Sequence, residues 1–379
     1  MWSPTRRTTL AVCVALLLVT AGCSGGTTPT HTSSPTAATA SPTATSSWSP
    51  NAAAEQFPPG VAANGTLTNV TALLEAHFEE TADEPLALTS EWSGPNESGV
   101  RRFVRGANAT PYYSTYNRTM DGERITEQFY WTGSHGYARA TFDDRTRFSV
   151  YQNATAGVQA WTHEDVFGPR SAIRSVLASG NYSVNGTVER GGRTFVRLTA
   201  DEAAPASSDR YDAYEATALV TPDGVVYDVD ATLVRATGEA TDARDVSVTL
   251  DTSGDWSGPP SWVADLPHLS ISPVEDGHAL ELRNTGGATL PANASFTVAV
   301  SNRTVWGSPL HGDVTGTVTT DARLPPGDAV YLTVDQDGGA TAFTLHDDRA
   351  RGEYRVVAAG VRGTRGNVSY RLETGSKDG

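Results

Sequence analysis

Cysteine, lysine and long hydrophobic runs are all scarce in this chain of 379 residues. Two cysteines cannot form a disulfide scaffold. Beyond the amino-terminal segment, no stretch approaches the roughly 18 apolar residues of a membrane-spanning helix. Positive charge is also scarce, because 28 Lys and Arg stand against 43 Asp and Glu, a net charge of −15. This balance argues against a nucleic-acid partner, since phosphate binding needs a basic surface.

Apolar residues are nevertheless plentiful enough to build a core. Hydrophobic residues make up 38% of the chain and aromatic residues 8%, which argues against a wholly disordered protein. At about 100–200 residues per domain, the length predicts two domains and a tail.

The amino terminus is typical of an export and anchoring signal. An apolar run over 10–19 is about half of the ~20 residues that span a bilayer, so it predicts a signal-peptide core. Small residues then precede Cys23, which resembles a prokaryotic lipobox and predicts a lipid-modified thiol. The paired arginines resemble a twin-arginine export signal. The alternative is an ordinary signal peptide that is cleaved nearby. The predicted signal residues are Arg6, Arg7, Thr20, Ala21 and Gly22.

The segment after Cys23 predicts an extended stalk. It is rich in Thr, Ser, Pro and Ala and has no charged residue over 24–50. Such a composition cannot bury enough apolar surface to offset its ordering entropy. Two hydrocarbon tails on Cys23 would anchor the chain stably, where one tail binds only marginally.

Asparagine usage predicts a body that lies outside the cell. Eleven of the 13 asparagines lie in Asn-x-Ser/Thr, where chance would give about three. We therefore predict N-glycosylation, which requires exposure on an external face. The alternative is that Asn-x-Thr merely suits turns and strand ends. The predicted acceptors are Asn64, Asn69, Asn96, Asn108, Asn117, Asn153, Asn181, Asn185, Asn293, Asn302 and Asn367.

The combination of lipobox, dense Asn-x-Ser/Thr triplets, scarce lysine and acidic Thr-rich body resembles a haloarchaeal surface lipoprotein. The one lysine is Lys377. A net charge far from zero keeps such a chain soluble. The resemblance implies attachment to the outer face of the cell membrane by the lipid anchor.

The middle of the chain predicts two helices among many strands. An apolar spacing over 70–78 predicts an amphipathic helix that Thr68 or Thr66 caps, and Pro169 opens a second helix that ends before Gly180. Short turn-bounded segments around the helices predict an antiparallel meander. These strands are 86–92, 100–105, 112–118, 124–131, 136–142, 147–152, 182–189, 193–199, 214–220, 225–235 and 246–250.

This order of elements resembles the lipoprotein-carrier (LolA-like) superfamily over about residues 60–253. The resemblance implies a curved antiparallel half-barrel whose helices close an apolar cavity. Phe129, Tyr130 and Trp131 place rings on both faces of one strand, because neighbouring side chains point oppositely. Phe129 and Trp131 are therefore candidates for lining an apolar cavity, and the alternative is plain core packing.

The carboxyl-terminal part predicts an immunoglobulin-like β-sandwich. Alternating apolar positions recur in about seven short segments, which include 296–300, 330–334, 354–356 and 368–372. The predicted fold class is α+β, a curved antiparallel half-barrel with packing helices followed by an all-β sandwich domain. The predicted organisation is a signal peptide (1–22), a lipidated cysteine and stalk (23–57), the half-barrel domain (58–253), a linker (254–267) and the sandwich (268–375).

Constellations of catalytic or metal-binding residues are largely missing from the sequence. There is no His-Glu-x-x-His and no Gly-x-Ser-x-Gly. The His-led acidic triplets at 163–165 and 346–348 lack ligand spacing and predict solvated loops. The run 335–338 begins like a calcium loop but lacks the distal ligands, and a hairpin turn fits it equally well. We predict no catalytic residue, no metal and no cofactor.

Two functions remain open from the sequence. The first is a non-enzymatic, membrane-anchored lipoprotein that binds a hydrophobic ligand, such as a lipid, in the half-barrel. The second is a structural or protein-interaction lipoprotein of the cell envelope, with an envelope protein as its partner and no ligand cavity.

Overall fold

The fold is seen in a computed structural model of the chain. It describes residues 57–107, 110–143, 145–153, 169–237, 240–253, 257–306, 308–337 and 340–377.

Two α-helices occur in the described residues, α1 (Val70–Glu80) and α2 (Pro169–Leu177), at the places that the sequence predicted. Asn69 caps α1, because its side chain accepts a hydrogen bond from the Ala72 N–H at 3.1 Å. The predicted cap, Thr68 or Thr66, is therefore wrong. Four short 3₁₀ helices also occur in the described ranges: Pro205–Ser207, Ser261–Val263, Glu275–Gly277 and Pro309–His311.

Strands make up most of the described chain. They are β1 (Leu86–Ser93), β2 (Glu97–Arg105), β3 (Tyr112–Met120), β4 (Glu123–Trp131), β5 (His135–Phe142), β6 (Arg145–Gln152), β7 (Ser183–Arg190), β8 (Arg193–Ala200), β9 (Ala213–Val220), β10 (Val226–Thr237), β11 (Ala240–Asp251), β12 (Pro267–Val274), β13 (Ala279–Gly287), β14 (Ser295–Ser301), β15 (Val305–Trp306), β16 (Val314–Thr319), β17 (Ala329–Asp337), β18 (Ala340–His346), β19 (Ala358–Arg365), β20 (Val368–Thr374) and β21 (Ser376–Lys377).

The predicted fold class, α+β with a half-barrel followed by a sandwich, is wrong. The structure is mostly β, and fifteen strands form one sheet in the order β16-β14-β19-β20-β6-β5-β4-β3-β2-β1-β11-β10-β9-β8-β7. A smaller sheet has the order β12-β13-β17-β18. The physical reason is a parallel pairing of β6 with β20, which joins the meander to the carboxyl-terminal strands. Strands so distant in sequence leave no local pattern that would reveal their pairing.

The helices cover one face of the large sheet, which we call the helix face. Leu73 and Leu74 of α1 and Ile173 of α2 are buried with apolar side chains from β1, β2 and β8–β11. The Tyr214 hydroxyl donates to the Val176 carbonyl oxygen at 2.7 Å, so a polar group in this core is satisfied. This core therefore lies at the β7–β11 end of the sheet.

The four-stranded sheet covers the opposite face of the large sheet. Leu269 and Leu280 of the small sheet are buried with Tyr130, Tyr137 and other side chains of β4–β6 and with those of β14, β16, β19 and β20. Side chains alternate between faces along a strand, so Tyr130 lies opposite its neighbours Phe129 and Trp131. The covered face therefore changes from one end of the large sheet to the other.

Most predicted strands agree with the observed ones to within a few residues. The Gly191-Gly192 turn between β7 and β8 has positive φ at both residues, of 59° and 75°, as a tight hairpin requires. One predicted strand is wrong, because 354–356 lies outside any strand and β19 begins at Ala358.

Candidate functional site

An aromatic patch lies on the helix face beside the helix-covered core. We define it as Phe103, Tyr112, Phe129 and Trp131. The ring centroids are 5.1 Å apart for Phe103 and Tyr112, 6.0 Å for Tyr112 and Phe129, and 6.3 Å for Phe129 and Trp131. Phe103 is buried in the helix-covered core, whereas the other three side chains are only half-buried. The apolar surface of the core thus continues along the sheet past the helices.

Strand register places these rings on one face. Phe103 of β2 pairs with Leu88 of β1 and with Ser114 of β3, and Ser114 pairs with Phe129 of β4. Directly paired residues share a face. The predicted cavity residues Phe129 and Trp131 are therefore brought together with Phe103.

A cluster of arginines and aromatic rings adjoins the patch on the same face. We call it the arginine cluster and define it as Trp92, Arg101, Tyr116, Arg118 and Arg244. The Trp92 and Tyr116 rings are stacked with centroids 5.5 Å apart. Guanidinium carbons lie 4.7 Å (Arg101) and 5.8 Å (Arg118) from the Tyr116 centroid, and 5.8 Å (Arg244) from that of Trp92. Such cation–π contacts hold the arginines against the sheet.

A glycine allows this stacking. Trp92 lies over Gly99 of the neighbouring strand, and a Cβ at Gly99 would clash with the Trp92 ring. Gly99 in turn pairs with Arg118, so the indole reaches toward β3.

Three buried donors of the arginine cluster have no hydrogen-bond acceptor within the described part of the chain. They are Trp92 Nε1, Arg118 Nε and Arg244 Nε. Leaving a buried donor unsatisfied costs about 1–3 kcal/mol, and more for a charged group. Carboxylates and phosphates are the partners that a guanidinium binds best. The cluster is therefore chemically suited to an anionic group.

Acidic side chains only partly offset the charge of this cluster. Glu97 lies 3.8 Å from Arg118. Burial raises the pKa of the Glu127 carboxyl, and the charges of Arg118 and Arg101 act against that rise. Burial likewise lowers the pKa of Arg101. Three guanidinium groups therefore face two carboxyl groups in a chain whose overall charge is negative.

The opposite face carries a polar groove of about 1070 Å³. A row of paired residues crosses it from Asp230 through Ser247, Glu91 and Val100 to Asn117. Burial, and secondarily the nearby Asp228, raise the pKa of Asp230. Ligand pockets for apolar molecules are lined mostly by hydrophobic side chains. This groove does not fit a hydrophobic ligand.

The predicted signal and lipidation residues lie outside the described residues. This holds for Arg6, Arg7, Thr20, Ala21, Gly22 and Cys23. None of the helices in the described ranges has the length and hydrophobicity of a membrane-spanning segment.

The predicted glycan acceptors that the structure describes are all exposed. Asn108 lies outside the described residues, and the other ten are exposed: Asn64, Asn69, Asn96, Asn117, Asn153, Asn181, Asn185, Asn293, Asn302 and Asn367. The described asparagine without a triplet, Asn284, is 0% exposed. Its side-chain amide nitrogen donates to the carbonyls of Ala288 and Leu324 at 2.8 and 2.9 Å. Exposure thus separates the triplet asparagines from the structural one.

The acidic runs that the sequence analysis weighed as metal or catalytic candidates do not form a site in the described part of the chain. Asp335 Oδ1 accepts from the Glu353 N–H at 2.8 Å, and 335–337 form the end of β17. His346 Nε2 lies 3.0 Å from the Thr333 hydroxyl. Residues 163–165 lie outside the described part of the chain. Within that part, no three His, Cys, Asp or Glu side chains are placed to share a metal ion.

Sequence reasoning missed the arginine cluster. Arg101, Tyr116 and Arg118 sit at alternate positions of β2 and β3, which is a signal that they share a face with Phe103. The contribution of Arg244 depends on the β1–β11 register, which the sequence pattern does not specify.

No family model and no curated protein matches this chain. Among solved structures, MucB in complex with MucA(peri) is 13% identical, over 72% of this chain and 90% of that chain, with a TM-score of 0.23. MucB alone is 13% identical over 77% and 78% of the two chains, with a TM-score of 0.24. The TM-scores are too low for these alignments to carry an argument about this chain.

Proposed function

We propose that this chain is a non-enzymatic lipoprotein of the cell envelope that binds a lipid or another hydrophobic ligand with an anionic group. The ligand lies on the helix face, with its apolar part on the aromatic patch and its anionic group at the arginine cluster. The observation that carries the proposal is the set of three buried, unsatisfied donors beside a half-buried run of rings.

The aromatic patch supports the apolar half of the proposal. Tyr112 packs against the helix-covered core, and Phe129 and Trp131 extend the same surface over β4. Covering half-buried rings removes apolar area from water at about 25 cal/mol per Å². An acyl chain along these rings would therefore bind favourably.

The arginine cluster supports the anionic half. Arg101 and Phe103 are two residues apart on the same face of β2, so the cluster begins where the patch ends. An anionic oxygen would give the Trp92, Arg118 and Arg244 nitrogens the acceptor that they lack. A charged head and an apolar tail on one molecule match this adjacency.

The amino terminus supports the envelope location. The signal over 1–22 would direct export and then be removed, the lipidated Cys23 would hold the chain at the outer face of the membrane, and the stalk would hold the sheet away from it. We expect Cys23→Ser to release the protein into the medium with its fold unchanged, by circular dichroism. Continued association of this variant with membranes would contradict the anchor.

Ligand binding is tested with dansyl-labelled undecanoic acid, which joins an apolar chain to a carboxylate. We expect saturable binding, and we expect Phe129→Ala with Trp131→Ala to weaken it by about tenfold or more, since burial of one ring contributes about 1.5–3 kcal/mol. Arg118→Gln should weaken binding of this probe but not of its uncharged methyl ester.

The matched control is Phe142→Ala. Phe142 lies on the same face as Phe129 and Trp131 but is 41% exposed and outside the patch. Its truncation should leave the affinity unchanged. Absence of saturable binding, or an equal loss in Phe142→Ala, would contradict the proposal.

The protein-interaction alternative has a separate readout. A photo-crosslinking residue in place of Trp131 on intact cells would capture a protein if that alternative holds. Capture of lipid at this position supports the ligand proposal.

A further inference from the structure

One predicted glycan acceptor differs from the others in its position. Asn117 lies in the middle of β3, and its side chain faces the polar groove rather than a chain turn. Thr119, the third residue of its triplet, also lines the groove, because residues two apart in a strand share a face. The acceptor amide and the hydroxyl of the triplet therefore stand side by side over the same groove.

The side-chain amide of Asn117 is also free of hydrogen bonds that glycosylation would have to break, within the described part of the chain. The side-chain nitrogens of Asn181, Asn185 and Asn367 donate to Glu202, Thr199 and Thr146, respectively. By contrast, the exposed Asn117 side chain makes no hydrogen bond to the rest of the described chain. Substitution at its nitrogen would break no contact of the fold.

The groove has the chemistry of a surface for sugars. Its lining includes the carboxylates of Glu91, Glu215, Asp230 and Asp245 and many Ser and Thr hydroxyls. Carboxylates accept hydrogen bonds only, and hydroxyls both donate and accept, which matches the hydroxyl groups of a sugar. The lining also includes Arg118 and Arg124, but four carboxylates against two guanidinium groups still disfavour phosphate or an acyl carboxylate.

We propose that Asn117 is N-glycosylated and that the first sugars of its glycan lie in this groove. The Asn117 Nδ2 attacks the anomeric carbon of a glycan carried on a lipid phosphate. The C1–Nδ2 bond forms, the bond from C1 to the phosphate oxygen breaks, the lipid phosphate leaves, and one amide proton passes to a base of the transferase. The glycan then extends over Glu91 and toward Asp230, along the row of paired residues that crosses the groove.

The modification is tested on protein purified from the membranes of its native host. Glycopeptide mass spectrometry should find a glycan on Asn117, lost in Asn117→Gln and in Thr119→Ala but kept in Thr119→Ser. An unmodified Asn117 in the purified protein would overturn the proposal, whether or not the other triplets are occupied.

The position of the first sugars in the groove is tested by labelling the groove carboxylates with a carbodiimide and glycine ethyl ester. We expect Glu91, Glu215 and Asp245 to be labelled more slowly in wild-type protein than in Asn117→Gln. Asn293→Gln, which removes an exposed acceptor outside the groove lining, should leave their labelling unchanged. Equal labelling of glycosylated and unglycosylated protein would overturn the groove assignment. Neither readout involves the ligand on the helix face, so the two proposals fail separately.

Discussion

The two ends of the large sheet are covered on opposite faces. At the β7–β11 end, α1 and α2 cover the helix face. At the β16–β20 end, the four-stranded sheet covers the other face. A sheet that changes its covered side leaves part of each face open near its middle. Those two open areas differ in chemistry: rings with arginines on the helix face, hydroxyls with carboxylates on the other.

Contacts between β6, β20 and the small sheet hold the two ends of the large sheet together. β6 and β20 are paired in parallel, and the Ser149 and Ser369 hydroxyls are 2.8 Å apart across them. The Gln152 side chain binds both polar groups of Ile271 in the small sheet: its nitrogen donates to the carbonyl at 3.0 Å, and its oxygen accepts from the N–H at 2.6 Å. Gln152 thereby couples the meander to the small sheet.

The largest effect is expected from breaking this coupling. Gln152→Ala leaves the Ile271 N–H and carbonyl without partners, at about 1–3 kcal/mol for each buried group. We expect the free energy of unfolding to fall by about 2–6 kcal/mol and the two ends to unfold in separate steps, measured by denaturant titration with hydrogen exchange.

The matched variant is Gln152→Glu, which keeps an acceptor for the Ile271 N–H but turns a second acceptor toward the Ile271 carbonyl oxygen. Because it also buries a charge, it should lose at least as much stability as Gln152→Ala. A single unfolding step in Gln152→Ala, with stability unchanged, would contradict the role of this contact.

A smaller effect should appear at the helix-covered end only, as the pH falls. His77 of α1 is 1% exposed, and its Nδ1 accepts from the Val226 N–H at 3.2 Å. Burial, and then the charges of Arg105 and Arg170, lower its pKa from 6.5 to about 4. The unfolded chain therefore binds a proton between these values that the folded chain does not.

The contribution of neutral His77 to the free energy of unfolding should consequently be fully present above about pH 6.5 and should decline as the pH falls toward 4. The total loss is about 3 kcal/mol, from a shift of roughly 2.5 pKa units. Hydrogen exchange should show this loss in α1 and β10, and the small sheet should keep its protection. His77→Gln keeps an acceptor but does not titrate, so it should flatten the pH dependence. An unchanged slope in this variant would show that other groups cause it.

The two helices and nearly all the strands of the meander could be predicted, because their signals are local. Apolar spacing over 70–78 and Pro169 located the helices. The pairing of β6 with β20 could not be predicted, since it depends on contacts between residues far apart in sequence. Burial patterns could not exclude a separate half-barrel for the same reason.

The candidate site likewise has one part that the local sequence predicts and one part that depends on strand register. Phe129 and Trp131 stood out because three adjacent rings are visible in the sequence. The arginine cluster needs the register of four strands, which places Arg244 of β11 near Trp92 of β1. Only the assembled sheet reveals that its buried donors lack acceptors.

A hydrophobic, anionic ligand on the helix face should stay bound when the protein is extracted gently. The most direct measurement is native mass spectrometry of the protein extracted gently from its own membranes. We predict a noncovalently bound lipid-sized species in the wild-type protein that is absent from the Phe129→Ala, Trp131→Ala double variant. Repeated preparations that carry only covalent modifications and no bound species would contradict the claim.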